Sequence, residues 1–427
     1  MRADLDRRAR EILRTNDKGG YTVPTDGLYP YQWNWDSVFV ALGFATFDES
    51  RACREIETLF EVQWDSGFVP HIVFRQDDPG YFPGPSTWNA GGQVPTSGIT
   101  QPPIAASVIY EMWCRTKTDS IRERLATLFP KVLAWHRWFH RCRISEDTGA
   151  VIITHPWESG RDNSPEWTRP TSRVDPTGVG PYQRRDLQHA DASMRPLKRD
   201  YDRYIALLEY GRDTGWDHSK IATEGPFRMA DVGMTMILLR ATRDLIRLSK
   251  ELGRVDIIAE LDGYVRSLEQ GADYLWDSKA QTYCSRDVIS GEASGYVTNA
   301  SFLYGYAGVG DHGQQAHMAR HWDRIGARVQ YMLPSQDPDD AGFDHMRYWC
   351  GPVWIMMNYI LARGFLEIGQ QAWAERLRAD SHRLIADFGF HEAFSPQTGD
   401  GTGGRDFSWT AAMWLAWCGR NTAAPGT

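Results

Sequence analysis

The feature that most constrains this chain is a helical period of apolar residues that returns in about a dozen separate stretches: 5–15, 37–44, 51–64, 103–116, 121–141, 199–213, 227–251, 255–276, 297–308, 314–328, 352–368, 372–388 and 407–417. The connections between them alternate in kind. Some are short, such as 45–50 and 252–254, and others are long and rich in Gly, Pro and Trp. Helical hairpins closed by short turns at one end and elaborate loops at the other predict an all-α barrel of paired inner and outer helices, with the long loops forming a cup. The stretches 67–101 and 165–196 are too long for idle connectors, and ordered loops of that length carry function. Residues 144–154 read as a small β-hairpin turning at Asp147-Thr148-Gly149. No linker marks a boundary, so 1–427 reads as a single domain with insertions near 67–101 and 165–196. The absence of a sequence repeat argues against an interaction solenoid.

Aromatic residues make up 12% of the chain, with 18 Trp and 18 Tyr. Indole N–H groups need partners when buried, so this many Trp beside Gly and Pro suggests a wet, aromatic-lined pocket as well as a core. Sugars suit such a pocket: their C–H faces stack on indole while their hydroxyls seek carboxylates and amides. The formal net charge of -8, without a sustained block of Lys and Arg, excludes nucleic acid as the expected partner. The six cysteines are scattered and read as core thiols of a reducing compartment. The N-terminus lacks an apolar stretch and no later run is long enough to span a bilayer, so no membrane partner and a cytoplasmic location are expected.

Three clusters carry chemistry. YPYQWNWDS, residues 29–37, places Asp36 at the mouth of an apolar helix after Trp33 and Trp35. A helix cap explains Asp36 alone. It does not explain two tryptophans alternating with polar side chains, which suit a stacking face with a carboxylate for hydroxyl protons. HPWESGRDNSP, residues 155–165, carries Glu158 and Asp162 in a turn-forming stretch. Glycosyl transfer to water needs a carboxylic acid beside the leaving oxygen, and such an acid needs a raised pKa. Asn163 and Ser164 could bond that carboxyl and Trp157 could desolvate it, whereas Arg161 would lower its pKa unless it points elsewhere. HEAFSPQTGDGTGGRDFSWT, residues 391–410, puts Glu392 before a Gly-rich segment that feeds a helix. That segment lacks the GK[ST] ending of a phosphate loop. Its glycines (Gly399, Gly401, Gly403, Gly404) predict instead a lid that closes over a small substrate, with Arg405 as a clamp for an anionic group. The acidic stretch 337–345 does not match EF-hand spacing, and the 12 His show no HExxH, so no metal is expected.

In this order the clusters, together with RYWCGPVW at 347–354 and the RRDLQHAD to YDRY stretch, resemble glycoside hydrolase family 63, and within it the bacterial mannosylglycerate and glucosylglycerate hydrolases. The resemblance covers most of the chain. It implies an (α/α)6 barrel, hydrolysis of an α-glycosidic bond with inversion, and no cofactor. Residue by residue it implies Asp162 as general acid, Glu392 as general base, and Asp36 as the holder of the sugar in the innermost subsite. It further implies Tyr29, Trp33, Trp35, Tyr81, Gln101, Tyr348 and Trp354 as the sugar-contacting shell, and Arg195 and Arg405 as the cations meeting a glycerate carboxylate. The expected partner is thus a small sugar glycerate. The alternatives are a trehalase-like or oligosaccharide α-glucosidase, and a carbohydrate-binding protein without catalysis. The last would not require two separated carboxylate clusters.

Overall fold

The computed structural model describes residues 2–189 and 191–420. The domain span 1–427 reaches past these at Met1, Ala190 and 421–427, which lie outside the described residues. Among the described residues twelve helices form two concentric rings. The first half of the chain supplies α1 (Arg2–Asn16), α2 (Asn34–Phe44), α3 (Glu49–Glu61), α4 (Ala105–Arg115), α5 (Asp119–Cys142) and α6 (Val232–Glu251). The second half supplies α7 (Ile258–Tyr274), α8 (Tyr304–Ala307), α9 (His312–Gly326), α10 (Ile355–Glu367), α11 (Gln371–Phe388) and α12 (Ser408–Met413). Even-numbered helices form the inner ring: each packs on the next, and α12 closes onto α2. Odd-numbered helices lie outside, with α1 on α12, α3 on α2, α5 on α4, α7 on α6 and α11 on α10. This is the (α/α)6 barrel.

Sequence dictates which ring each helix joins. Every residue of α2 (NWDSVFVALGF) and of α12 is buried, as an inner helix touched on all sides requires. In α3 the buried apolar positions Ala52, Cys53, Ile56, Leu59 and Phe60 make a single stripe, and the opposite face is wet. Short-turn helix starts carry acidic caps: Asp48 accepts from Arg51 N, and Asp311 forms a capping box with Gln314. Asp231 caps α6 by accepting from Met234 N.

Several boundaries differ from the periodic reading, for local reasons. Residues 227–231 leave the predicted helix because Met229–Ala230 is the middle strand of a small sheet, between Ile152–Ile153 and Arg286–Asp287. The 144–154 hairpin is present as an Ile144 to Val151 bridge closed at Gly149, whose φ is +74°. Its continuation belongs to that long-range sheet. The described residues of both insertions take defined local structure. The first carries strand Ile72–Val73, paired with Gln32–Trp33, and the second carries short helical turns ending at Met194. Both overhang the end of the barrel where α2 and α12 begin, because each contributes to the same cleft as the starts of those helices. The cysteines of the described region are all free thiols, and no described helix is long and apolar enough to cross a membrane.

Inner-ring closure depends on a close backbone approach. A Cβ at Gly43, in the last turn of α2, would lie 2.6 Å from the Ala412 backbone of α12. Gly43→Val should therefore destabilise the protein by about 1–3 kcal/mol through overpacking. Gly263→Ala, on outer helix α7 with 3.8 Å to its nearest neighbour, should be neutral or stabilising by about 0.5–1 kcal/mol. Denaturant midpoints of the two variants check this, and equal effects would show that the α2–α12 approach does not limit the fold.

Candidate active site

One cleft of about 950 Å³, partly open to solvent, lies at this end of the barrel. Its walls bring together carboxylates from three distant segments: Asp36 in the first turn of α2, Asp162 in the loop after Gly160, and Glu392 in a hairpin strand. Asp36 is no N-cap. Trp33 holds the cap position without a side-chain bond, and the Asp36 carboxylate accepts its own amide inside the turn. Its pKa is driven far up by burial, with Glu392, Asp162 and Glu55 adding like-charge repulsion.

The loop bearing Asp162 is fixed from both sides. Gly160 takes a left-handed turn with φ +66°, and a Cβ there would lie 2.6 Å from the Trp35 ring, so glycine is required on two counts. Beyond it Trp167 Nε1 donates to Arg161 O and Tyr204 OH donates to Asp162 O, both at 2.8 Å. The Arg161 side chain points away from the cleft, donating to Glu166 at 2.6 Å and Asp231 at 2.9 Å. Asn163 and Ser164 do not serve the acid as their types suggested. Asn163 Oδ1 accepts from Trp349 N at 2.9 Å, and Ser164 Oγ bonds Glu166 at 3.3 Å. Burial raises the Asp162 pKa to about 7; Glu392 adds to the rise, and Arg195 and the Tyr348 hydroxyl oppose it. Of the two acidic residues in its motif, Glu158 is excluded from the cleft: it is fully buried against Arg143 at 2.9 Å and Thr154 N at 2.8 Å.

Glu392 sits on strand His391–Phe394, paired with strand Gly401–Arg405. The expected lid is thus one half of a β-hairpin, and its glycines serve contact rather than bending. The register slips opposite Glu392, so Gly403 and Gly404 form a bulge against it. Gly403 has φ +76°, and a Cβ there would run into the Glu392 carboxylate; Gly404 N donates to Glu392 Oε2 at 2.8 Å. Tyr29 OH donates to Oε1 and Arg195 Nη2 to Oε2, each at 3.0 Å. Arg195 is itself buried, gives Nη1 to Tyr29 OH at 2.9 Å, and lies 4.9 Å over the Tyr348 ring.

Of the sequence-predicted shell, Tyr29, Trp33, Trp35, Asp36, Tyr81, Gln101, Arg195 and Tyr348 line the cleft with Asp162 and Glu392. Gln101 Oε1 accepts from Trp35 N at 3.2 Å. Tyr348 is held at φ +36°, a strained geometry for a non-glycine residue that turns it toward Asp162. Two residues do not join. Trp354 stacks behind Trp349, centroids 3.9 Å apart and planes at 4°, so Trp349 presents the ring face and Trp354 supports it. Arg405 ends its strand on the solvent side and is exposed, bound by its carbonyl to Thr25 Oγ1 at 2.6 Å. It is no clamp for a ligand in the cleft. Motif reading left His71, Trp157, Arg185, Asp186, Tyr201, Trp349, Phe407 and Trp409 out of the expected sugar-contacting shell, and all stand in the wall. Trp157, Trp349 and Trp409 stand inside the quoted motifs, beside the residues chosen. Arg185 and Asp186 stand in the RRDLQHAD stretch, from which only Arg195 nearby was chosen; Arg185 reaches across the mouth to Asp78 of the other insertion at 2.6 Å. Among the described residues no group of His, Cys, Asp or Glu has the arrangement of a metal site.

Comparison with known proteins gives a consistent set of relatives. Residues 29–410 match the mannosylglycerate hydrolase MGH1-like glycoside hydrolase domain. A mannosylglycerate hydrolase of Thermus thermophilus is 44% identical over 414 residues, 96% of this chain and 99% of that protein. A glucosylglycerate hydrolase of Mycolicibacterium hassiacum is 33% identical over 440 residues, 97% of this chain and 98% of that protein. The crystal structure of a family 63 mannosylglycerate hydrolase from Thermus thermophilus in complex with Tris and D-glycerate superimposes with a TM-score of 0.93 at 44% identity, covering 97% of this chain and 99% of that one.

The raised Asp162 carboxyl has a thermodynamic signature. Between the ordinary value of 3.8 and about 7 the group is protonated when folded and ionised when unfolded. Its contribution to stability is full below the lower value and is lost as pH rises to the upper one. Native stability relative to Asp162→Asn should decline over that window and level off above it. Denaturant unfolding of both proteins from about pH 4 to about pH 8 measures this. A difference independent of pH would refute the raised carboxyl.

Proposed function

The chain belongs to the mannosylglycerate hydrolase MGH1-like glycoside hydrolases of family 63 and is a glycosidase; from that premise we propose that it hydrolyses 2-O-mannosylglycerate, and glucosylglycerate as a second substrate, with inversion, in a single catalytic domain. The observation that carries the reading is the asymmetry of two carboxyls in one cleft. Asp162 keeps its proton up to about pH 7, whereas Glu392 accepts three bonds, one from a guanidinium. A proton donor and a proton acceptor in one cleft are the two roles that inverting hydrolysis needs.

In this mechanism Asp162 gives its proton to the departing glycosidic oxygen as the C1–O bond to glycerate breaks. Water forms the new C1–O bond from the opposite face, and Glu392 takes its proton. One glycoside and one water become sugar and glycerate, and proton exchange with solvent restores both carboxyls. The rings of Trp35, Trp349 and Trp409 supply stacking faces for the sugar, and Asp36 and Gln101 receive or orient its hydroxyls. Arg195 lines the cleft beside Glu392 and is the cation placed to meet the glycerate carboxylate. The Thermus structure holding D-glycerate supports this class of leaving group.

Four substrates separate this reading from a neutral-oligosaccharide one: mannosylglycerate, glucosylglycerate, trehalose and a maltooligosaccharide. Sugar should be released from the glycerates, and release from trehalose or the maltooligosaccharide alone would overturn the proposal. Proton NMR of fresh product from the α-linked substrate should show the β anomer first; the α anomer first would remove Glu392 as base. Asp162→Asn and Glu392→Gln should each lower kcat by about a hundred- to ten-thousand-fold. Native kcat should fall as pH rises through about 7, when Asp162 loses its proton.

A further inference from the structure

We infer that Arg195 makes the substrate's negative charge a requirement for turnover and not only for binding, because the same guanidinium that meets the substrate carboxylate also restrains Glu392. This rests on the proposed reading of Glu392 as base and of a glycosyl glycerate as substrate.

The geometry is that of one cation between two claims. Arg195 Nη2 donates to Glu392 Oε2 at 3.0 Å and Nη1 to Tyr29 OH at 2.9 Å, and Tyr29 OH donates in turn to Glu392 Oε1 at 3.0 Å. This closes a ring of three side chains from three distant segments. The guanidinium is boxed in by the Tyr348 ring at 4.9 Å and the Tyr29 ring at 5.8 Å. Its Nε–H is buried without an acceptor. The other groups acting on Glu392, Arg195 and Tyr29 are the backbone N–H of Gly404, the carboxyls of Asp36, Asp162 and Asp186, and the hydroxyl of Tyr348, none of them a cationic side chain. Arg185, the other arginine in the wall, is already engaged with Asp78.

A guanidinium on a carboxylate stabilises its charged form and so opposes the proton uptake a general base must perform. A second carboxylate brought against the same guanidinium divides its field and competes for its N–H groups. Glu392 then holds its negative charge with less compensation and accepts a proton from water more readily. A neutral aglycone fills the same space without that effect: its glycosidic bond sits beside Asp162 while Glu392 stays tied to Arg195. Discrimination therefore falls on the chemical step, where it raises specificity for anionic glycosides beyond what a charge contact in the ground state gives.

The test compares 2-O-mannosylglycerate with its neutral counterpart, 2-O-mannosylglycerol, on native protein, Arg195→Met and Arg195→Lys. On the native protein kcat for the neutral glycoside should be lower by at least about tenfold, beside any rise in KM. Arg195→Met frees Glu392 and should turn over the neutral glycoside faster than the native protein does, while losing kcat on the glycerate. Arg195→Lys keeps one charge but no fork and should retain part of the discrimination. Equal native kcat values with a difference confined to KM would overturn the inference and leave the substrate reading standing. A neutral glycoside turned over no faster by Arg195→Met than by the native protein would also overturn it. Failure of the native protein to hydrolyse either glycoside would remove the substrate reading and the inference together. The native comparison needs no variant, so it decides even if the substituted proteins do not fold.

Discussion

Like charges brought together in a partly closed cleft repel, and the active end of this barrel is organised around that repulsion. Asp36, Asp162 and Glu392 share one wall-to-wall space. Three ionised carboxylates with one buried guanidinium among them would be costly. The structure resolves the conflict by treating each carboxyl differently. Asp36 and Asp162 are pushed toward their neutral forms by burial, while Glu392 receives Arg195, Tyr29 and a backbone N–H. The division of labour proposed for Asp162 and Glu392 thus has the same physical origin as the folding of the site.

The barrel is what lets the division hold. Asp36 rides on the first turn of an inner helix, and Glu392 on a hairpin that leads directly into another, α12, which packs against it. Their relative positions are set by the Gly43 to Ala412 contact, where two helices touch without side chains between them. The Asp162 loop hangs from a buried ion triad, Arg161 with Glu166 and Asp231, and Asp231 also caps inner helix α6. Arg161 is therefore spent on scaffolding. Had it remained free beside Asp162, it would have favoured the ionised acid.

Much of this was legible in the sequence, and the failures share a cause. Helical period and alternating loop length pointed to the two rings, because burial on one side or on all sides leaves a direct imprint on the pattern. Asp36, Asp162 and Glu392 were legible because their motifs combine acidic residues with aromatics and turn formers. Trp354 and Arg405 were misplaced because both lie within a motif that does reach the cleft, and motif membership does not say which way a side chain faces. Trp349 and Trp354 differ only in which side of one stack they occupy. The Gly-rich segment misled for a related reason. Glycine marks either freedom to bend or closeness of approach, and here the Glu392 carboxylate occupies the space a Cβ would need at Gly403. Arg185 and Asp186 were passed over although their stretch was noticed, since a rim residue answers to a partner, Asp78 in the case of Arg185, that is distant in the chain.

The two insertions supply Tyr81, Phe82, Arg185, Asp186 and Arg195 to the cleft, whereas Asp36, Glu392, Trp35 and Trp409 belong to the ring and its hairpin. On the proposed reading most aglycone contacts come from the insertions, while the insertion residue Gln101 and the Asp162 loop tie them to the bond-cleaving groups. Under that reading, descendants of such a scaffold can acquire new leaving groups by exchanging overhanging segments while most of the floor is inherited. The limit on that exchange is Arg195, which comes from an insertion yet holds a residue of the hairpin; a replacement segment that omits it changes the floor as well as the rim.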